Sequence, residues 1–100
     1  MKQDIFNQYA ERIVDIFGIT KEDLFSKSKK RDIVDARHLL YYLCYKRPMT
    51  ITYIQKYMNA NGYEIQHSSV IHGINSVSVR VRDDADYMQT VKDLDKAVFI

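Results

Sequence analysis

Only three glycines and one proline interrupt this chain of 100 residues. Folds built from many short strands need frequent tight turns, and tight turns depend on glycine and proline. The scarcity of both residues therefore favours helices over an all-β fold. The length suits one domain with a single modest core, so we predict one domain over residues 1–100.

Apolar residues recur at three- and four-residue steps along most of the chain, which is the spacing of amphipathic helices. The predicted helices cover about 3–17, 32–46, Thr50 or Thr52 to about 60, 67–81, and a last segment after Asp83 and Asp84. The capping-box pattern of Thr20 and Asp23 predicts a further short helix. The sequence thus predicts an all-α domain of five to six helices, although the β-branched residues of 67–81 leave a strand as an alternative there.

The strongest turn signal, Asn59-Ala60-Asn61-Gly62, separates two of the predicted helices, and the second of them begins at His67-Ser68-Ser69. A short helix, a turn and a second helix form the layout of a helix-turn-helix, in which the first turn of the second helix reaches base edges or phosphates. Gly73 is expected to permit a close approach by the preceding helix. The alternative is that Ser68 merely caps the helix and His67 is an incidental surface residue.

Charge is distributed unevenly along the chain. Residues 27–47 contain seven lysines and arginines against two aspartates, a net charge of +5, whereas residues 1–26 and 83–100 have net charges of −2 and −3. A basic middle segment between acidic ends is typical of a polyanion-binding surface. A solvated helix face is the alternative interpretation of the same charges.

Other kinds of site have little support. One cysteine and three histidines lack the spacing of a zinc site, and the Gly-x-x-x-x-Gly-Lys-Ser/Thr phosphate loop is absent, so we expect no metal, no nucleotide cofactor and no enzyme. Cys44 is expected to be buried, and His38 to lie on a helix surface. No apolar run is long enough to span a membrane, which predicts a cytoplasmic, nucleoid-associated protein without a membrane partner.

Three segments together resemble one family. They are Leu24 to Leu43 with its Lys/Arg cluster, Thr50-Ile51-Thr52-Tyr53-Ile54-Gln55, and Gln66-His67-Ser68-Ser69-Val70-Ile71-His72. The chain is similar over nearly its whole length to the C-terminal DNA-binding domain of the bacterial replication initiator DnaA. The resemblance implies a DnaA C-terminal domain/Trp repressor-like helical fold and a double-stranded DNA partner.

The resemblance also implies roles for single residues. His67 and Ser68 would contact bases or backbone in the major groove, Ser69 would bind a phosphate, Lys29 or Arg31 would enter the minor groove, and Arg37 would contact the DNA backbone. The complete predicted DNA-binding set is Lys27, Lys29, Lys30, Arg31, Arg37, Thr52, Gln66, His67, Ser68, Ser69 and His72.

The chain departs from the family pattern at several positions. Gln66 replaces an aspartate that can accept a hydrogen bond from cytosine, Asp35 stands where a positive residue is common, and Asn75 and Ser76 replace basic residues. We therefore expect a stand-alone, sequence-preferring DNA-binding protein that assists replication or transcription, with an altered site preference. The alternative is a protein-interaction module that keeps the fold but binds a replication protein. The oligomeric state stays open.

Overall fold

The computed structural model describes residues 2–98, and this range folds into six helices without a strand. The helices are α1 (Lys2–Phe17), α2 (Lys21–Leu24), α3 (Arg31–Lys46), α4 (Ile51–Ala60), α5 (His67–Asp83) and α6 (Ala85–Lys96). The prediction of an all-helical fold is confirmed. The strand alternative for residues 67–81 is wrong, because α5 buries a stripe of helical spacing against its neighbours, formed by Val70, Gly73, Ile74 and Val77.

The helix ends follow the local signals in the sequence. Gly18 adopts a positive φ of 65° directly after α1, a conformation that glycine reaches without steric cost. The capping box forms as predicted, since the Thr20 side chain accepts from the Asp23 amide and the Asp23 carboxylate accepts from the Thr20 amide. Thr50, rather than Thr52, caps α4 by accepting from the amide of Tyr53. These contacts set where each helix begins and ends.

Helix α3 occupies the centre of the molecule. Helices α1 and α5 pack against it, and α2 and α4 also contact it. Its buried residues lie on more than one face, which is the expected arrangement for a helix surrounded by others. Cys44 is completely buried within this core, as expected, and burial raises the pKa of its thiol.

The glycine in the middle of α5 lets this helix lie very close to a neighbouring one. A Cβ atom built at Gly73 would lie 2.7 Å from Tyr41 Cδ2 and 2.9 Å from His38 Cδ2. Both neighbours belong to α3, so the expectation that the preceding helix α4 approaches Gly73 is wrong. The central helix α3, and not α4, sets the position of α5 at this point.

The end of α6 is fastened to α1 and to the segment after α3. The hydroxyl of Tyr9 donates to the carboxylate of Asp95, and Arg47 Nε lies 3.3 Å from the same carboxylate. Arg47 also donates to the carbonyl oxygens of Asp95 and Val98, at 3.1 and 3.0 Å. Burial and the bond to Asp95 raise the pKa of Tyr9, so its hydroxyl keeps the proton that it donates.

Candidate nucleic-acid interface

The start of α5 presents polar side chains to solvent. His67, Ser68 and Ser69 form its first turn, and all three are exposed. Gln66 is the N-cap residue, but its side chain makes no capping hydrogen bond, and the first turn contains no acidic residue. Because the amino end of a helix carries partial positive charge, a phosphate meets favourable backbone dipoles and hydroxyl groups here. Ser68 lies inside the helix, so the capping role considered for it is wrong.

The turn between α4 and α5 sets the position of that first turn. Gly62 has a φ of 88°, which places it in the left-handed region that favours glycine. Gln55 of α4 donates to the carbonyl oxygen of Ile65 at 3.1 Å, and the Ile65 amide donates to the side chain of Asn59 at 3.3 Å. These bonds fix the connection immediately before His67.

Arg37 holds the basic loop, residues 26–30, in place. Its guanidinium donates to the carbonyl oxygen of Ser26 at 3.0 Å, to the carbonyl oxygen of Ser28, and to the hydroxyl of Tyr63 at 2.7 Å. Arg37 is only 4% exposed. The resemblance implied that this residue contacts the DNA backbone; in the structure, its guanidinium bonds to the loop and to Tyr63. Three hydrogen bonds engage its guanidinium within the fold, where they order the loop and join it to the turn before α5.

Lys27 strengthens the same connection. Its ammonium donates to the carbonyl oxygen of Glu64 at 2.5 Å and lies 4.1 Å from the centre of the Tyr63 ring. The basic loop is therefore tied directly to the segment that leads into α5. An ammonium between a carbonyl and an aromatic face is less free to meet a phosphate than a solvated lysine.

A cleft of about 330 Å³ lies between the basic loop, α3 and the amino end of α5. It brings together five of the residues predicted from the sequence, namely Lys27, Lys29, Arg37, Ser69 and His72. Gln66 and Lys27 line a second hollow beside it. The basic loop and the first turns of α5 thus meet at one surface, although Leu24 to Arg31 and Gln66 to His72 are far apart in the chain.

The other predicted residues lie outside the cleft and are exposed. Lys30 and Arg31 are at the start of α3, and Thr52 is in the first turn of α4. Four of the five basic residues of the predicted set, Lys27, Lys29, Lys30 and Arg31, are therefore on the surface, and Arg37 is not.

Tyr63 and His38 also line the cleft, although neither was predicted as part of the site. Tyr63 bonds Arg37, and no local pattern signals such a contact between a turn and a helix. His38 was expected on a helix surface, but it is half-buried, and its ring lies 5.7 Å from the His72 ring, edge to face. The sequence feature that indicates this contact is Gly73, because the absence of a side chain there lets α5 lie directly on His38.

The environment of His38 disfavours its charged form. Burial lowers the pKa of its imidazole, and the neighbouring His72 acts in the same direction. Among residues 2–98, no three His, Cys, Asp or Glu side chains come together as a metal-ion site. Within the same range, no helix combines the length and the apolar character needed to cross a membrane.

Comparison with known proteins gives one family. A family described as bacterial dnaA protein helix-turn-helix matches residues 8–77, which extends from α1 into α5 and leaves α6 outside the match. The chain is 28% identical over 89 residues to the chromosomal replication initiator protein DnaA of Lachnoclostridium phytofermentans, covering 88% of this chain and 19% of that protein.

Two further relatives carry the same name. The identity is 30% over 78 residues with DnaA of Leptospira biflexa (75% of this chain, 17% of the relative) and 27% over 100 residues with DnaA of Chlorobaculum tepidum (99% and 20%). The chain therefore spans 17–20% of the length of these three relatives. No solved structure gives a significant match.

Proposed function

Because this chain belongs to the bacterial DnaA helix-turn-helix family, we propose that it binds double-stranded DNA with a sequence preference, without catalysing a reaction. The observation that carries the proposal is the cleft in which the basic loop meets the first turns of α5. One surface then offers both cations for phosphates and a helix end for the major groove, which is the combination that helix-turn-helix proteins use.

The basic loop, together with Arg31 at the start of α3, would supply most of the affinity. Lys29, Lys30 and Arg31 are exposed, and residues 27–47 have a net charge of +5. Cations that neutralise phosphates release counterions, so this contribution depends on salt and little on sequence. Lys29 or Arg31 would reach into the minor groove next to the major groove that α5 enters. Arg37 contributes indirectly, because it holds the loop in the required shape.

The first turn of α5 would supply the sequence preference. His67 and Ser68 would face base edges, while Ser69 would bind a phosphate near the helix end. Gln66 can form two hydrogen bonds with adenine, whereas an aspartate accepts from cytosine. We therefore propose that adenine is preferred at the base that Gln66 faces, with Thr52 and His72 at the edges of the contact.

A single small domain buries only about 600–1,000 Å² on DNA, so the affinity of one copy is expected to be modest. The matched relatives are several times longer, and their named role in replication initiation belongs to the whole proteins. For this chain we propose a role in replication or transcription on nucleoid DNA in the cytoplasm. A replication-protein partner would raise the local concentration of the domain at its site.

Salt titration of duplex binding tests the proposal. With three to four exposed cations at phosphates, log K should fall against log salt with a slope of about −3 to −4. Selection of bound duplexes from a random pool then tests the sequence preference and the adenine at Gln66. A chain that is folded but binds no duplex at about 50 mM salt would refute the proposal and leave the protein-interaction module in its place.

A further inference from the structure

The two histidines that line the cleft lie edge to face and belong to different helices. His38 is on α3 and His72 is on α5, with 5.7 Å between ring centres and an angle of 85° between ring planes. Both line the cleft that also contains Lys29 and Arg37. Any proton on either ring is therefore next to the proposed position of a DNA phosphate and next to a second imidazole.

The inner wall of the cleft carries charge that the protein does not neutralise. The bonding partners of Arg37 are two carbonyl oxygens and one hydroxyl, none of which is charged. Its Nε atom is buried and has no hydrogen-bond partner within the described residues. A buried guanidinium without a carboxylate favours an anion in the adjoining space and opposes a second cation.

The groups around the histidine pair come from four parts of the fold. On the other side of His38, Asp35 and Arg80 form an ion pair of 3.8 Å, and Arg80 lies over the ring of Tyr87. The charged or titratable groups that surround the pair are Asp35, Arg37 and Tyr41 on α3, Arg80 on α5, Lys27, Lys29 and Tyr63 in the loops, and Tyr87 on α6. Asp35 is the only acid among them, and Arg80 already pairs with it.

We propose that His38 and His72 form a proton-linked phosphate site, in which a phosphodiester group of duplex DNA enters the cleft and the histidine pair takes up one proton with it. The inference rests on the proposed function, and it names the anion, the residues and the regulation. Burial and the neighbouring His72 disfavour the charged form of His38, and two adjacent charged imidazoles would repel each other strongly. A phosphate in the cleft reverses this preference by supplying a negative charge.

The consequence is that DNA affinity rises as the pH falls through the range in which imidazoles titrate. The lowered pKa of His38 is consistent with this, because burial and His72 both favour the neutral form of this imidazole in the free protein. A group that becomes protonated only on binding increases affinity by at most about tenfold per pH unit. At pH values above this range the effect disappears, since the pair then stays neutral in both states.

The test compares the dissociation constant for one duplex between about pH 5.5 and 8 at constant ionic strength. Affinity should rise about three- to tenfold per pH unit on acidification below neutrality. His38→Gln and His72→Gln, each measured separately, should abolish most of this dependence. His67→Gln is the matched control, because it removes another imidazole from the interface but should keep the dependence on pH while weakening the binding.

Each alternative result has a distinct meaning. Duplex binding that does not change with pH overturns the proton-linked site and leaves the proposed function intact. A pH dependence that persists in both His38→Gln and His72→Gln but disappears in His67→Gln has the same meaning. Absence of duplex binding at every pH overturns both. If His38→Gln fails to fold, His72→Gln still tests the proposal, because His72 is exposed. The NMR titration of both imidazoles with and without the duplex then decides, because DNA should raise the pKa of one of them.

Discussion

Gly73 of α5 lies directly on Tyr41 of α3, so closely that a Cβ atom at Gly73 would be 2.7 Å from Tyr41 Cδ2. Glycine in the middle of a helix costs about 1 kcal/mol relative to alanine. Here that cost is offset by the close packing of α5 on the central helix. The angle at which α5 packs on α3 depends on this contact.

Gly73→Ala should lower the free energy of unfolding by about 1–3 kcal/mol, because both Tyr41 and His38 must move. In an exposed helix the same substitution would be stabilising. Urea denaturation measures the change, and Asn75→Ala, at an exposed position of the same helix, serves as the control with a change within about 0.5 kcal/mol. A Gly73→Ala variant more stable than the unmodified protein would contradict the packing described here.

Arg37 and Arg31 allow the structural and DNA-binding roles of arginine to be separated. Arg37→Met should destabilise the protein by about 2–4 kcal/mol, since Ser26, Ser28 and Tyr63 all lose a charged donor. Arg31→Met, at an exposed position, should change stability by less than about 0.5 kcal/mol but reduce the salt slope of DNA binding by about 1. Denaturation of the two variants measures the change in stability, and salt titration of DNA binding measures the change in slope. Equal stabilities would show that Arg37 does not hold the basic loop.

His67→Ala should weaken binding to the selected sequence by about 1–3 kcal/mol and have a smaller effect on unrelated duplexes. The reason is that His67 is exposed on the first turn of α5, where it can meet base edges. Lys29→Ala combined with Arg31→Ala should weaken all duplexes more evenly, apart from any A·T preference read in the minor groove. Competition binding with selected and scrambled duplexes distinguishes the two patterns. Unchanged discrimination in His67→Ala would remove this residue from base recognition.

The stability of the free protein should decrease as the pH falls below about 6.5. The pKa of His38 is lowered in the folded state by burial and by His72, so the unfolded chain takes up its proton first. The stabilisation is therefore fully present above the unfolded pKa and is lost as the pH falls towards the folded pKa. Thermal unfolding at a series of pH values measures this. His38→Gln should flatten the pH dependence, whereas His67→Gln should leave it in place.

Much of this molecule follows from local sequence. The spacing of apolar residues predicts the helices, Thr20 and Asp23 predict a capping box, and Asn59 to Gly62 predict the turn before α5. These features depend on residues within one or two turns of each other, so the sequence contains the necessary information. Local sequence also predicts that the basic residues of the loop and the polar first turn of α5 are exposed, since polarity alone places them at the surface.

The contacts that assemble the site could not be predicted in this way. Arg37 bonds Tyr63, which is 26 residues away, and His38 meets His72 on another helix. An apolar stripe identifies the face that a helix buries, but it does not identify which helix covers that face. Packing around α3 decided that Gly73 contacts Tyr41, that Arg37 is buried against the loop and Tyr63, and that the two imidazoles share one cleft.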